Sequence, residues 1–483
     1  LATSPADLAI LGAYFAATLV AGARLGRGQR DAADYMLGRR DVPWWTVLLS
    51  IVATETSTVT FLSIPGFAFA HDLRWLQIAL GFVVARFVVR ALLLPRYYGG
   101  SVVTAYELLG RRFGETTRRL ASLLFVVTRT LADGLRLYLT ALVLQETLGL
   151  GLPAAVALVG LTTLVYTAMG GMRAVIWTDA AQFLVYVLGG AAAFGLIVSR
   201  LPGGLGGFLA GAAAAGKLTA FDSSLSLTDP YCLWAGLVGG LFLNVGSHGA
   251  DQLLVQRYLA AKSESDAGRA LWVSGFVVFA QFALFLLIGT ALWSYYGAFP
   301  PAVPFDRPDR VFVRFIATEM PVGLTGLVLG AVFAAAMSTL SSSLNSSATA
   351  AVHDLARPWL GPDRGDGRLL RATRGLTVVF GVLQMAVALG ASRLTESVVT
   401  NVLTVAGFTT GIVLGVFFLG LFTRVGQRGA LTGLVAGLVL MTVVAFATPL
   451  AWPWYSMVGS LGTLAFGALA GEILRAGAME RSG

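Results

Sequence analysis

Residues 48–70 read LLSIVATETSTVTFLSIPGFAFA. The stretch is long and apolar enough to cross a bilayer, whose hydrocarbon core of about 30 Å takes roughly 20 residues of helix. Yet Thr54, Glu55, Thr56, Ser57, Thr58 and Thr60 stand at its middle, with Pro65 and Gly66 just beyond. In hydrocarbon every backbone group must be satisfied internally, and a mid-membrane carboxylate is expensive. A helix facing only lipid does not carry six polar side chains there. Hydroxyl side chains compete with helical hydrogen bonds, so the spacing predicts a local unwinding near 53–58 that frees carbonyls for a cation. Ser and Thr also bond back to their own helix or join neighbouring ones; Glu55 tips the reading toward function.

The same kind of segment recurs along the chain. Hydrophobic residues make up 56% of the 483 and charged residues 12%, more apolar surface than a water-soluble protein can hide. About thirteen spans are expected, near 6–23, 43–68, 73–95, 118–146, 153–170, 175–198, 231–249, 269–296, 311–350, 372–391, 396–422, 429–448 and 454–474. They are continuously apolar, which excludes the alternating strands of an outer-membrane barrel. The fold class is therefore an all-α polytopic membrane bundle forming one membrane domain over 1–483, with no room for a soluble domain between spans. The connections near 199–230 and 353–371 hold at most a short helix. One cysteine, Cys232, and three histidines give neither a disulfide framework nor a structural zinc cluster.

The formal charge of +9 is informative through its distribution. With the first span running inward, the loops 24–42, 96–118, around Arg173, 257–269, 357–374, 424–428 and the C-terminus, with their immediate edges, carry 23 of the 34 Lys and Arg; the opposite side carries 7. That is the positive-inside bias of a bacterial-type inner (plasma) membrane protein, with the N-terminus outside and the C-terminus cytoplasmic. No basic stripe interleaved with aromatics is present, so nucleic acid is not the expected partner. The first span lacks a cationic leader and an A-x-A site and reads as structural.

Three further interruptions stand out. From Ser338 to Thr349, nine of twelve residues are Ser, Thr or Asn and none is charged. Neutral oxygens suit a monovalent cation that must bind and leave. Ala335, Ser338, Thr339, Ser342 and Asn345 share one helical stripe. In GGMRAVIWTDAAQ (170–182), Asp179 needs a partner inside its helix; a cation path is preferred over an ion pair with a neighbouring Arg. Arg129 and Arg136, seven residues apart, either neutralise Asp179 or Glu55 or, at Arg136, receive an anionic solute. In the seventh span Asn244, Ser247 and His248 sit among Gly239, Gly240, Gly246 and Gly249, a Gly-interrupted helix of the sort found at midplane sites. Arg86 and Arg90 receive no role.

These residues carry a resemblance. GGMRAVIWTDAAQ, GADQLLVQRYLAAKS (249–263) and AAAMSTLSSSLNSSAT (334–349) make the chain similar, over nearly its whole length, to the sodium:solute symporter family of sugar, proline, sialic acid, iodide and monocarboxylate carriers. The resemblance implies a leucine-transporter-like core of two five-helix inverted repeats, 43–198 and 231–422, with one helix before and two after at 429–474. It implies Na+ held by carbonyls of Ala53, Thr56 and Ala335 and hydroxyls of Ser338 and Thr339. A second sodium, seen in some members, would fall on Asp179, Ser341 and Ser342. The solute pocket would be lined by Ser57, Thr60, Gln77, Arg136, Asn244 and Ser247, and Glu55 falls where proline carriers have an acidic residue. The Glu-Gln pair of the sugar carriers is replaced by Val59 and Thr60, which weakens a sugar assignment.

The expectation is thus a sodium-coupled symporter that imports a small polar solute, leaning to a small organic anion or amino acid, by alternating access. It would work as a monomer in the lipid bilayer. A sodium-coupled sugar symporter is the nearer alternative; a membrane sensor with this fold, an ion channel and a proton-driven carrier are the others. No nucleophile or acid–base constellation points to an enzyme.

Overall fold

The computed structural model describes residues 4–480 apart from 28, 30, 101, 302, 357–365 and 394–397; for 59, 366, 398–403, 405–407 and 477–480 it describes the backbone alone. Among the described residues the chain is helical, with one isolated parallel bridge between Val42 and Ala261. The long helices are α1 (Pro5–Leu25), the pair α2 (Trp44–Glu55) and α3 (Thr58–Ala70), α4 (Leu76–Leu92), α5 (Glu115–Leu148) and α6 (Leu152–Arg200). In the second half come the short pair α7 (Gly240–Gly249) and α8 (Gln252–Leu259), then α9 (Glu264–Ala298), α10 (Leu324–Ala350) and α11 (Asp366–Gly390). The chain ends with α12 (Val398–Phe422), α13 (Gln427–Ala447) and α14 (Tyr455–Glu480). Among these, seven are long and apolar enough to cross a bilayer, or eight with the bent pair α2 and α3 taken as one span.

Local chemistry sets the ends. Ser4 caps α1 in a capping box with Asp7, and Pro5 supplies the first helical position. Asp7 also accepts from the Gly323 and Gly326 amides at 2.7 and 2.8 Å, pinning the start of α1 to the start of α10. Helix α6 has 49 residues, about 74 Å at 1.5 Å per residue, more than twice a hydrocarbon core. It breaks at Gly171, where φ is 58° and ψ is −167°. A Cβ there would collide with Gln29 and Tyr35, so both the dihedral and the space require glycine. The predicted ninth span, 311–350, is instead a short helix, Arg310–Thr318, followed by α10. Pro321 lacks an amide proton and Gly323 turns to φ 88°, and neither continues a helix.

Burial separates the helices into two kinds. The most apolar window of α10 and its extension to Ala356 is 89% buried; those of α1, α13 and α14 are 17, 28 and 28% buried. The hydroxyl-rich helix therefore lies at the centre, while outer helices expose Val439, Val443, Phe446 and Ile473 as lipid contact requires.

Contacts also sort the connections onto two faces. On the first face Arg74 pairs with Asp222 and Asp229, Arg200 bonds the Glu319 carbonyl, and Arg310 pairs with Glu146. On the second face Arg40 reaches the Val102 carbonyl, Arg112 that of Thr423, and Arg374 the Gln29 side chain. The second group holds the loops in which the basic residues concentrate, so the charge asymmetry read from the sequence is a real sidedness of the fold.

Candidate functional site

The helix predicted to unwind does so. Helix α2 ends at Glu55; Thr56 (φ −87°, ψ 94°) and Ser57 (φ −91°, ψ 174°) are extended, and the halves on either side meet at 57°. The end of a helix leaves its last carbonyls without intrahelical partners. That of Val52 takes the Thr56 amide at 2.9 Å, and that of Thr54 takes the Thr339 hydroxyl at 3.1 Å. The Thr339 hydroxyl also lies 3.3 Å from the Ala335 carbonyl. Thr56 turns its own hydroxyl back to Val52 at 2.8 Å, leaving its carbonyl as the group it offers. Ala53, Thr56, Ala335, Ser338 and Thr339 are all buried, and α10 packs directly against the break. The Thr54 and Ala335 carbonyls, from two helices far apart in sequence, are thus brought together at the Thr339 hydroxyl; neutral oxygens are the kind of donor that suits a hard monovalent cation.

Asp179 lies beside this cage in a different environment. Its Oδ1 accepts from Ser338 at 2.7 Å; its Oδ2 accepts from Ser50 at 2.6 Å and lies 3.3 Å from the Thr54 hydroxyl and 3.4 Å from that of Ser342. Arg257, on α8, stands 3.1 Å from the same oxygen and also bonds Ser342 and Ser50. The carboxylate therefore has a buried guanidinium partner, where the sequence favoured a cation path. Ser341 turns its hydroxyl to the Ser338 carbonyl at 3.1 Å, along its own helix. Of the three residues of the anticipated second site, the structure joins Asp179 and Ser342 through Arg257 and leaves Ser341 aside.

A cavity of ≈ 150 Å³ opens on the other side of the break. Glu55, Ser57, Thr60, Arg136, Asn244 and Ser247 all line it, as anticipated. Gln77 does not. It is fully buried and ties down the first-face loop, donating to the Tyr231 carbonyl at 2.7 Å and accepting from the Asp222 amide at 3.0 Å. Trp75, Phe82, Phe282 and Trp452 wall the cavity toward the first face, with the Trp75 ring 5.7 Å from Trp452 and 6.3 Å from Phe282. A smaller cavity of ≈ 40 Å³, reaching Tyr106 and Phe125 toward the second face, shares Arg129, Arg136, Asp251 and Thr410 with the larger one. The Arg129–Asp251 ion pair is thus the partition between them. Asp251 sits in the break between α7 and α8, where it also caps α8 through the Leu253 amide at 2.8 Å.

The mid-membrane charges have settled into pairs that the sequence left open. Glu55 is held by Arg86 and accepts from Asn244 at 3.0 Å, with the His248 ring 3.5 Å away. Arg129 is held by Asp251 and lies 3.9 Å from Asp133; among the described residues Arg136 bonds Asp133 alone, and its buried Nε has no hydrogen-bond partner there. Arg129 and Arg136 thus neutralise neither Asp179 nor Glu55. Arg86, Asp133, Asp251 and Arg257 were missed as site residues, as was the aromatic wall. A signal existed for Asp133, which falls four residues after Arg129 and three before Arg136 on one face of α5. Arg257 lay inside the quoted VQRY stretch.

The chain is similar to known proteins over most of its length. A model described as the sodium:solute symporter family matches residues 35–437. The sodium/sialic acid symporter SiaT of Proteus mirabilis is 29% identical over 476 residues, 96% of this chain and 94% of that protein. The human sodium/iodide cotransporter is 31% identical over 438 residues, 88% of this chain and 66% of its own length. Among solved structures, a substrate-bound, outward-open Na+-coupled sialic acid symporter superposes with a TM-score of 0.90 at 28% identity, covering 97% of this chain and 98% of that one. A nucleobase-cation-symport-1 transporter shares the fold at a TM-score of 0.59 and 14% identity.

Proposed function

The chain belongs to the sodium:solute symporter family, a family of transporters, and from the premise that it is a sodium-coupled symporter we propose that it imports a small organic anion by alternating access. The observation that carries this is Arg136. It lines the cavity and, among the described residues, shares its single carboxylate partner with Arg129 and keeps a buried Nε–H without a partner. A guanidinium with spare donors favours a carboxylate, which it grips through two parallel bonds. The relatives named for sialic acid and iodide both take anions. An amino acid would meet the same arginine through its carboxylate. The absence of the Glu-Gln pair at Val59 and Thr60 speaks against a plain sugar.

Sodium sits among the Ala53, Thr56 and Ala335 carbonyls and the Ser338 and Thr339 hydroxyls, tying the break to α10. Fixing Thr56 and Ser57 there sets Ser57 and Thr60 in the solute cavity, so each ligand favours the arrangement the other needs. Linkage then requires the solute to tighten sodium binding by the same factor. Closure alternates between the aromatic wall of Trp75, Phe282 and Trp452 and the Arg129–Asp251 partition. A second sodium at Asp179, Ser341 and Ser342 requires Arg257 to withdraw.

The repeats are 43–198 and 231–422, followed by two helices within 429–474. Their first members, α2–α3 and α7–α8, are both interrupted, at Thr56–Ser57 and Ala250–Asp251. Counting the two halves of α6 separately, and α2–α3 and α7–α8 as one crossing each, gives thirteen crossings. The face with the basic loops is cytoplasmic by the positive-inside rule, in a bacterial-type inner membrane, which puts the N-terminus outside and the C-terminus inside. The unit is a monomer, because cage and cavity are complete within one chain.

Uptake by proteoliposomes across a panel of monocarboxylates, sugar acids, amino acids and neutral sugars, in sodium or choline, tests the proposal. Saturable, sodium-dependent uptake of an anion that is lost in Arg136→Gln supports it. Uptake indifferent to choline replacement defeats the coupling, and a neutral sugar as the best solute defeats the anion.

A further inference from the structure

Away from the transport path, two cavities of ≈ 580 and ≈ 220 Å³ meet at Arg27, where the second-face end of α1 lies against the middle of α6 and the start of α11. Arg24, Arg39, Arg173 and Arg374 join Arg27 in lining them. The carboxylates paired with this group are Asp34, 3.2 Å from Arg39, and Asp41, 3.5 Å from Arg173. Among the described residues, five arginines line the cavities and two aspartates pair with them. Arg24 and Arg27 are exposed and have no ion-pair partner among the described residues, while Arg374 stacks on Tyr35 and bonds Gln29 at 3.1 Å with its Nε buried and unpartnered.

What lies below this basic cap distinguishes it from a solvated charged surface. Helices α6 and α11 run antiparallel in close contact, Gly160 opposite Met385 and Gly381 opposite Leu164. Met169 and Val378 line the larger cavity beneath Arg27 and Arg374. One turn further toward the membrane centre come Val165 and Val382, 46% and 54% exposed, and then Leu161, 50% exposed. Gly375, at the top of this furrow, has open space where a side chain would stand. A cationic cap over a lipid-facing apolar furrow matches both ends of one molecule.

We propose that the junction of α1, α6 and α11 binds an anionic phospholipid, its phosphate against Arg27 and Arg374 and an acyl chain in the furrow between Met169 and Val378. Basic pockets between membrane helices on the positively charged side suit anionic headgroups, and a guanidinium fork suits phosphate. A free phosphate would use the cap and leave the furrow empty, so the continuity of the two favours the lipid. Because α1 is anchored at its other end to α10 through Asp7, the lipid joins the peripheral helix to the two-helix unit beside it.

The test uses the full chain in nanodiscs of phosphatidylcholine with graded phosphatidylglycerol, reading lipid retention by native mass spectrometry and thermal midpoint in parallel. The wild type is expected to retain phosphatidylglycerol at least tenfold more than Arg27→Gln/Arg374→Gln, with a midpoint rise of several degrees that the double variant lacks. Gly375→Phe fills the furrow without changing charge and is expected to lose retention too. Arg119→Gln/Arg428→Gln, a charge-matched control elsewhere on the chain, is expected to behave as wild type. Equal retention by wild type and both site variants overturns the proposal, as does an equal loss in the control, or a midpoint rise from inorganic phosphate alone that matches the lipid's. Since none of these readings involves solute uptake, their failure leaves the transport assignment untouched.

Discussion

The cage around Thr339 on α10 and the cluster around Asp179 on α6 meet at Ser338, whose hydroxyl donates to Asp179 at 2.7 Å, yet electrostatically they are opposites. The cage contains only carbonyl and hydroxyl dipoles. The cluster contains a full negative charge already matched by Arg257 at 3.1 Å. Dipoles strip water from a monovalent ion and let it go again; a buried carboxylate with its own guanidinium has little need of an outside cation. The difference teaches that polar residues inside a membrane divide into neutral dipoles satisfied by one another, whose oxygens keep acceptor capacity, and full charges that need a partner of opposite sign.

The largest expected effect breaks the second region. Arg257→Met leaves Asp179 buried and unpaired, and the cost is about 3–5 kcal/mol of stability. Asp179→Leu added to it restores most of that, as denaturation in detergent would record. If the single change were harmless, the cluster would not be self-neutralised and the contrast would vanish. Next comes the cage: Thr339→Val removes one hydroxyl ligand at about 1–3 kcal/mol. That is about a 5- to 150-fold loss in apparent sodium affinity, read from uptake against external sodium, with stability affected far less than by Arg257→Met. Arg136→Lys then probes the solute side. Losing the planar fork is expected to raise the half-saturating solute concentration several-fold while sodium dependence persists. The smallest effect is expected at the rim: Arg310, 49% exposed and paired with Glu146 and Asp306, can become Gln at less than about 1 kcal/mol with uptake unchanged.

Much of this architecture was legible because the membrane punishes exceptions. Glu55 and the hydroxyls around it flagged the broken helix, and the Ser338–Thr349 run flagged the central one, since neither pattern is tolerable against lipid. The ends of the ninth span were misread because Pro321 and Gly323 sit inside a run whose hydropathy continues across them. Partnerships were harder. Periodicity places Arg86 in a span but does not say that it meets Glu55 from another helix, and Gln77 looked like a pocket residue although its bonds go to the loop at 222–231. Asp251 could not be placed from spacing either, because its role as cap and partition arises only once α7 and α8 are folded against α5.

Equilibrium binding of radiolabelled sodium to the purified protein, without solute, tests the central claim most directly. The account predicts saturable binding not displaced by choline in the wild type, weakened at least about fivefold in Thr339→Val while its fold and melting behaviour persist. Sodium binding identical in the two proteins would contradict it.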